Sequence, residues 1–91
     1  MLFRSAVGKA HGAISIGVNS RTLGVMAVDR PHFMAGAGNA IGGSLVPVAG
    51  GVLVMHEGRA IAAVGISGDT SDNDEAAAMA GIRAAGLSPL E

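Results

Sequence analysis

Two apolar stretches on either side of Glu57-Gly58 constrain the fold of this chain more than any other feature of its sequence. They span residues 52–56 and 59–67. A charged residue followed by glycine between two apolar runs favours a tight β-hairpin, although Asn-Gly or Asp-Gly is a stronger signal. A two-residue turn pairs Val54 with Ile61 across the two strands. The sequence therefore predicts an antiparallel hairpin in the second half of the chain.

Both faces of the predicted hairpin are apolar. One face carries Val52, Val54, Ile61 and Ala63, and the other carries Leu53, Met55, Ala62, Val64 and Ile66. An antiparallel sheet usually leaves one face polar and in contact with water. We therefore expect helices, a second subunit or a ligand to cover this hairpin on both sides. Because two Phe are the only aromatic residues, the core must be built from Val, Ile, Leu, Met and Ala.

Helical segments are predicted before the hairpin. Apolar residues at helical spacing indicate a helix over residues 3–18, with His11 on its apolar face. Ser20 is the expected N-cap of a second helix, which ends before Arg30-Pro31 because the residue before proline avoids the helical conformation. Residues 32–40 form a short helix or a structured loop. Residues 44–48 are expected to be an edge strand or the end of a strand, since proline cannot donate to a sheet ladder.

The clearest predicted element is a C-terminal helix over residues 76–85. Ser71 or Asp72 is its expected N-cap, and the acidic residues that follow suit the positive end of the helix dipole. Gly86 and then Pro89 are expected to end the helix. The chain is thus predicted to be a single domain over residues 1–91. Its predicted class is α/β (α+β), an antiparallel sheet with a C-terminal β-hairpin, flanked by N-terminal helices and a C-terminal helix.

Charge and composition exclude several classes of protein. Six Lys and Arg stand against seven Asp and Glu, and the basic residues are scattered, so a nucleic-acid partner is not expected. The chain has no Cys, which excludes disulfides and thiolate chemistry and agrees with a reducing cytoplasm. No apolar run approaches the roughly 18 to 20 residues of a membrane span. We therefore expect a cytoplasmic protein with no membrane partner.

The candidate binding residues are His11, His56 and Met55. Imidazole and thioether groups are the side chains that ligate haem iron or softer metals. A lone histidine is more often structural than a ligand, and Met55 is more often a core residue. No two histidines lie at a spacing typical of a zinc site, and the acidic residues 69–75 are explained by helix capping rather than by metal binding. No Ser or Thr lies in a sequence motif typical of a catalytic nucleophile. A binding module is therefore favoured over an enzyme, and no catalytic residue is assigned.

Several spaced motifs resemble a known family. They are Gly50-Gly51-Val-Leu-Val, Glu57-Gly58-Arg-Ala-Ile-Ala-Ala-Val-Gly65-Ile-Ser67-Gly68, Asp72-Asn-Asp74-Glu75, and Ala80-Gly81 in the following helix. In order and spacing they are similar to the C-terminal half of the GlcG/HbpS-like family of haem-binding or haem-degrading-domain-like proteins. Upstream, Lys9-Ala10-His11-Gly12-Ala13 is similar to the helical segment that precedes this half. Leu53 stands where the family usually has proline.

The resemblance implies an antiparallel sheet with flanking helices, assembly into homo-oligomers, and binding of haem or a related tetrapyrrole. We expect the porphyrin in an apolar cleft between the hairpin and the first helix, where it could stack only on Phe3, Phe33 or imidazole. Family members carry a helix and a hairpin ahead of the segment where this sequence begins, so the chain resembles the domain without its N-terminal third. Two alternatives remain open: an accessory protein or enzyme of small-acid (glycolate) or diol catabolism, and a non-functional truncated product.

Overall fold

The computed structural model describes residues 2–91, which form four helices and a three-stranded antiparallel sheet. In chain order the elements are α1 (Leu2–Ile16), α2 (Ser20–Asp29), α3 (Pro31–Ala40), β1 (Gly51–His56), β2 (Arg59–Gly65), α4 (Ser71–Ala84) and β3 (Ser88–Pro89). The predicted mixed fold, with helices flanking an antiparallel hairpin, is confirmed. The strand order is β2-β1-β3, so β1 is the central strand.

The first two helices form where the sequence predicts them. Gly17, at φ 91°, ends α1, because glycine adopts this left-handed conformation without steric cost. Ser20 is not the N-cap of α2, as predicted, but its first residue; Asn19 has the extended conformation of the cap. The Ser20 hydroxyl instead accepts a hydrogen bond from the backbone N–H of Gly51 at 2.7 Å, and Asn19 Oδ1 accepts one from Leu53 at 2.8 Å. These two polar side chains therefore attach the start of α2 to β1.

The segment after α3 departs from the prediction. Residues 32–40 lie in a helix, the first of the two alternatives, but residues 44–48 form no strand. This segment lies along α1 instead, where the Val46 N–H donates to the carbonyl of Gly8 at 3.2 Å. A Cβ on Gly8 would overlap the Val46 side chain, and one on Gly12 would lie 3.2 Å from Leu45. The glycines of α1 therefore form a groove that holds the segment away from the sheet.

The hairpin is confirmed, with Glu57-Gly58 as its turn, but its predicted register is wrong beyond the turn. A β-bulge between Val54 and Met55 pairs Met55 with Ala60 and Val54 with Ala62, so Ile61 is the extra residue. The predicted faces therefore exchange members. Val52, Val54, Val64 and Ile66 contribute to one core cluster, and Leu53 and Ala63 face the other way.

Helices, one of the three covers expected, pack on both faces of the hairpin at the end away from its turn, whereas residues 59–62 near the turn are exposed. On one face, Val52 and Val54 pack against Ala78 and Ile82 of α4. On the other face lie Gly51 and Gly65, which pair across the strands. A Cβ on Gly65 would overlap the carbonyl oxygen of Ala6, and one on Gly51 would overlap that of Lys9. The backbone of α1 thus rests directly on this glycine pair, and the cleft expected between the hairpin and the first helix is closed there.

The C-terminal helix is longer than predicted and has a different cap. It begins at Ser71, and its N-cap is Thr70 rather than Ser71 or Asp72, with the Thr70 hydroxyl accepting from the Asn73 N–H at 3.2 Å. Gly86, at φ 79°, ends the helix as predicted, and the Leu87 N–H donates back to the Ile82 carbonyl at 3.0 Å. The chain then adds a short strand, β3, which pairs with β1 and was not predicted.

Candidate functional site

The imidazole of His11 lies beneath a turn made of two glycines. His11 is on α1, and the chain passes over it at Gly42 and Gly43 on its way from α3 to the segment that lies along α1. A Cβ on Gly43 would come within 2.5 Å of His11 Nε2, so only glycine leaves room for the ring. Gly42 has a φ of 68°, which favours glycine as well. The local sequence thus brings bare backbone over the ring.

The Nε2 atom of His11 is buried and has no hydrogen-bond partner among the described residues. Buried polar atoms in folded proteins are almost always paired, so each exception requires an explanation. Val7 lies four residues before His11 and Ile14 three residues after it, so both are on the same side of α1 as His11. Both are partly exposed apolar residues. The nitrogen therefore lies in an apolar strip of α1, beneath backbone that carries no side chain.

The other two predicted residues lie at the turn end of the hairpin. Met55 is half-buried, and His56 is exposed, with its Nε2 3.7 Å from a carboxylate oxygen of Glu57. Neighbouring residues on a strand point to opposite faces, so these two side chains diverge. The hairpin turn is five residues, or about 16 Å, along β1 from the Gly51 contact with α1. The structure thus places His11 and His56 in different surroundings.

A groove of about 370 Å³ lies elsewhere, between α2, residues 47–49 and the start of α4. Its apolar lining comes from Val25, Val28, Pro47 and Val48. One end carries Arg21, which forms ion pairs with Asp72 and, at 2.9 Å, with Glu75. The hydrogen bonds that Arg21 donates to these two carboxylates, first to Asp72 and then to Glu75, raise the pKa of its guanidinium above its ordinary value. None of the predicted site residues lines this groove.

Comparison with known proteins identifies the family. The family model described as haem degrading protein HbpS-like matches residues 3–83, which run from α1 almost to the end of α4. The chain belongs to the HbpS-like family. No curated protein and no solved structure matches the chain. At family level this is a small protein related to haem, and the match includes His11, Met55 and His56.

Two features are absent from the described residues of this HbpS-like chain: a cluster of metal-binding side chains and a membrane-spanning helix. Over residues 2–91, no group of three or more His, Asp or Glu side chains is placed to hold a metal ion. Within the same residues no helix is long and apolar enough to cross a membrane. A single imidazole can nevertheless ligate a metal that already carries other ligands, as haem iron does. His11 fits such a group because its Nε2 has no other partner.

A buried ion pair joins α1 to α4 in this HbpS-like fold. It was not predicted from the sequence. Lys9 is 2% exposed and Asp74 is 3% exposed, and Lys9 Nζ lies 3.1 Å from Asp74 Oδ2. Lys9 also donates to the carbonyl of Ile66 at 3.0 Å, and the other carboxylate oxygen accepts from the Asp69 N–H at 3.0 Å. The sequence contains one sign of this pair. Lys9 lies four residues before the fully buried Ala13 and hence on the same face of α1, where a lysine needs a charged partner.

The Asp74 carboxylate makes the stability of the fold depend on pH. Burial alone would raise its pKa, but hydrogen bonds from Lys9 and from backbone N–H groups outweigh burial and hold the pKa below its ordinary value. A carboxyl whose pKa is lower in the folded state stabilises the fold above its unfolded pKa of about 3.9, and this stabilisation is lost as the pH falls further.

We therefore expect the free energy of unfolding to fall as the pH drops below about 4, in step with protonation of Asp74. Denaturant unfolding between neutral and acid pH measures this dependence. In Asp74→Asn the acid-side loss should be smaller than in the wild type. Asp29→Asn, which changes an exposed carboxylate on α2, serves as the matched control and should keep the wild-type profile. Equal profiles for Asp74→Asn and the wild type would contradict this role.

Proposed function

We propose that this HbpS-like protein binds haem or a related tetrapyrrole, with His11 as the axial ligand of the iron. The observation that supports the proposal is the buried, unpartnered Nε2 of His11. Leaving such a nitrogen unpaired costs about 1 to 3 kcal/mol. Coordination to iron would supply the missing partner, because a neutral imidazole nitrogen is a common haem ligand.

The apolar strip on α1 supports a porphyrin rather than a bare metal ion. A bare ion needs several protein ligands, whereas haem brings four nitrogen ligands of its own and needs an apolar surface for its rings. Val7 and Ile14 offer that surface on either side of His11. When bound, haem supplies the iron centre, and the chain supplies the imidazole and the apolar contact.

Access to His11 requires the turn at Gly42-Gly43 to move. A Cβ at Gly42 would meet no atom of another residue within 4 Å, and Gly43 packs against the His11 ring itself. We infer that the turn swings away from the ring when haem binds, while Val46 keeps its hydrogen bond to Gly8. His56 is freely accessible, but its exposed Nε2 lies 3.7 Å from a carboxylate oxygen of Glu57 and is not a buried atom that lacks a partner.

Titration with haemin, followed by the Soret band, tests the proposal. The wild type, His32→Ala and His56→Ala should give the same band of a histidine-ligated haem, because both of those histidines are exposed. His11→Ala should lose the ligated spectrum and regain it on addition of free imidazole, which replaces the missing ligand. Circular dichroism of each variant confirms that the helices remain. A spectrum of His11→Ala identical to that of the wild type would contradict ligation by His11.

A further inference from the structure

Arg4 lies on the same face of α1 as His11, two turns closer to the start of the helix. Because one turn takes about 3.6 residues, residues seven apart almost eclipse each other when the helix is viewed along its axis. The helical rise of about 1.5 Å per residue separates the two positions by about 10 Å along the axis. Val7 stands between them and is partly exposed. These three residues therefore form one row on α1, with a guanidinium at one end and an imidazole at the other.

The surface beside this row is open and apolar. Residues 44–48 pack against Gly8 and bound the row on one side. On the other side α1 rests on the sheet, where the carbonyl of Ala6 meets β2. Between these two boundaries Phe3 is 80% exposed, and Ile14 is partly exposed. A flat apolar molecule therefore has room to lie along the first half of α1.

Arg4 is exposed and has no carboxylate partner in the part of the chain that the structure describes. All the ion pairs of residues 2–91 involve other basic side chains. Asp29 is the only acidic residue before Glu57 in the sequence, so neither α1 nor the segment along it carries a carboxylate that could compete for Arg4. A guanidinium offers N–H donors in a planar fork that matches a carboxylate. This end of the row therefore favours an anion.

We propose that Arg4 binds the propionate carboxylates of the tetrapyrrole that His11 ligates, an inference that rests on the proposed function. A haem carries an iron at its centre, an apolar ring around the iron, and two carboxylates on one edge. The row on α1 offers a partner for each part in the same order: His11 for the iron, Val7 for the ring and Arg4 for the carboxylates. The separation of about 10 Å between Arg4 and His11 suits the reach from the iron to that edge.

This pairing defines the class of ligand and its direction on the helix. The site should select tetrapyrroles with free carboxylates on one edge over those whose carboxylates are esterified, because an ester has no charge to pair with the guanidinium. The carboxylate edge should point towards the start of α1 and Arg4, and away from Ile14. Arg4 is thus a specificity residue, and His11 remains the ligand of the iron.

Binding of haemin and of its dimethyl ester, each followed by the Soret band in the same mixed solvent, tests the role of Arg4. The ester keeps the iron and the ring but lacks the carboxylate charges. The preference for haemin over the ester, taken as the ratio of the two dissociation constants, should be about fivefold smaller in Arg4→Gln than in the wild type, which corresponds to roughly 1 kcal/mol. The affinity for the ester should be the same in both proteins.

Arg59→Gln is the matched control, because it removes the same charge from an exposed site at the turn end of the hairpin. It should keep the wild-type preference, and circular dichroism should show all three proteins equally helical. An unchanged preference in Arg4→Gln, or an equal fall in Arg4→Gln and Arg59→Gln, would overturn the role of Arg4 and leave ligation by His11 standing. Absence of the band of ligated haem in the wild type would instead contradict the proposed function, and this inference with it.

Discussion

Replacing Lys9 with methionine should lower the free energy of unfolding by roughly 3 to 5 kcal/mol, because it leaves the buried carboxylate of Asp74 without its charge partner. The change also removes the hydrogen bond from Lys9 Nζ to the Ile66 carbonyl. A domain of this size has about 5 to 10 kcal/mol of stability in total, so the variant should be partly unfolded at 37 °C. Urea unfolding followed by circular dichroism measures the loss.

Two comparisons separate the buried ion pair from a general effect of charge. Arg83→Met removes an exposed partner of Glu91 and should cost no more than about 1 kcal/mol. The double variant Lys9→Met with Asp74→Leu replaces both charges by apolar groups, and it should recover much of the stability lost by Lys9→Met alone. If Lys9→Met unfolds at the same urea concentration as Arg83→Met, the ion pair does not hold α1 to α4.

Among substitutions that add a single methyl group, Gly65→Ala should destabilise the fold most. The added Cβ would overlap the carbonyl oxygen of Ala6, which is helix backbone and cannot turn aside as a side chain can. Such overpacking costs about 1 to 3 kcal/mol and sometimes more, and here it forces α1 away from the sheet. Thermal unfolding should show a clear fall in the midpoint temperature.

Gly36→Ala provides the matched control for Gly65→Ala. Gly36 lies within α3, and a Cβ there would meet no atom within 4 Å. Alanine in a helix interior is favoured over glycine by roughly 0.5 to 1 kcal/mol, so this variant should be slightly more stable than the wild type. Equal midpoints for the two alanine variants would mean that α1 does not rest on the Gly65 backbone.

Features set by neighbouring residues could be predicted from the sequence, and features set by tertiary contacts could not. The hairpin turn follows from local glycine chemistry, and the first helix, predicted over residues 3–18, ends two residues earlier, at Ile16, where Gly17 has a positive φ. The N-cap of α2 was assigned wrongly because the Ser20 hydroxyl bonds to β1, a partner 31 residues away. The bulge at Ile61 was missed because both registers place apolar residues on both faces, so the apolar pattern cannot distinguish them.

In the candidate site, too, features set by neighbouring residues could be predicted and features set by tertiary contacts could not. His11 was selected because it lies on an apolar helical face, and the structure places its Nε2 in a buried position without a partner. The two-glycine turn that covers the ring comes from a segment more than 30 residues later, so no residue near His11 in the sequence indicates it. Residues 44–48 were predicted as a strand because their composition suits one, but the glycine groove of α1 holds the segment there instead.

The most direct measurement is a nitrogen-15 NMR spectrum of the three histidines, recorded with and without gallium protoporphyrin, a diamagnetic analogue of haem. The three imidazoles are resolved by comparison with His11→Ala, His32→Ala and His56→Ala. Ligation by His11 predicts that the Nε2 resonance of His11 shifts strongly on addition of the porphyrin, while those of His32 and His56 stay in place. A shift at His56 or His32 with His11 unchanged, or no shift at any of the three, would contradict it.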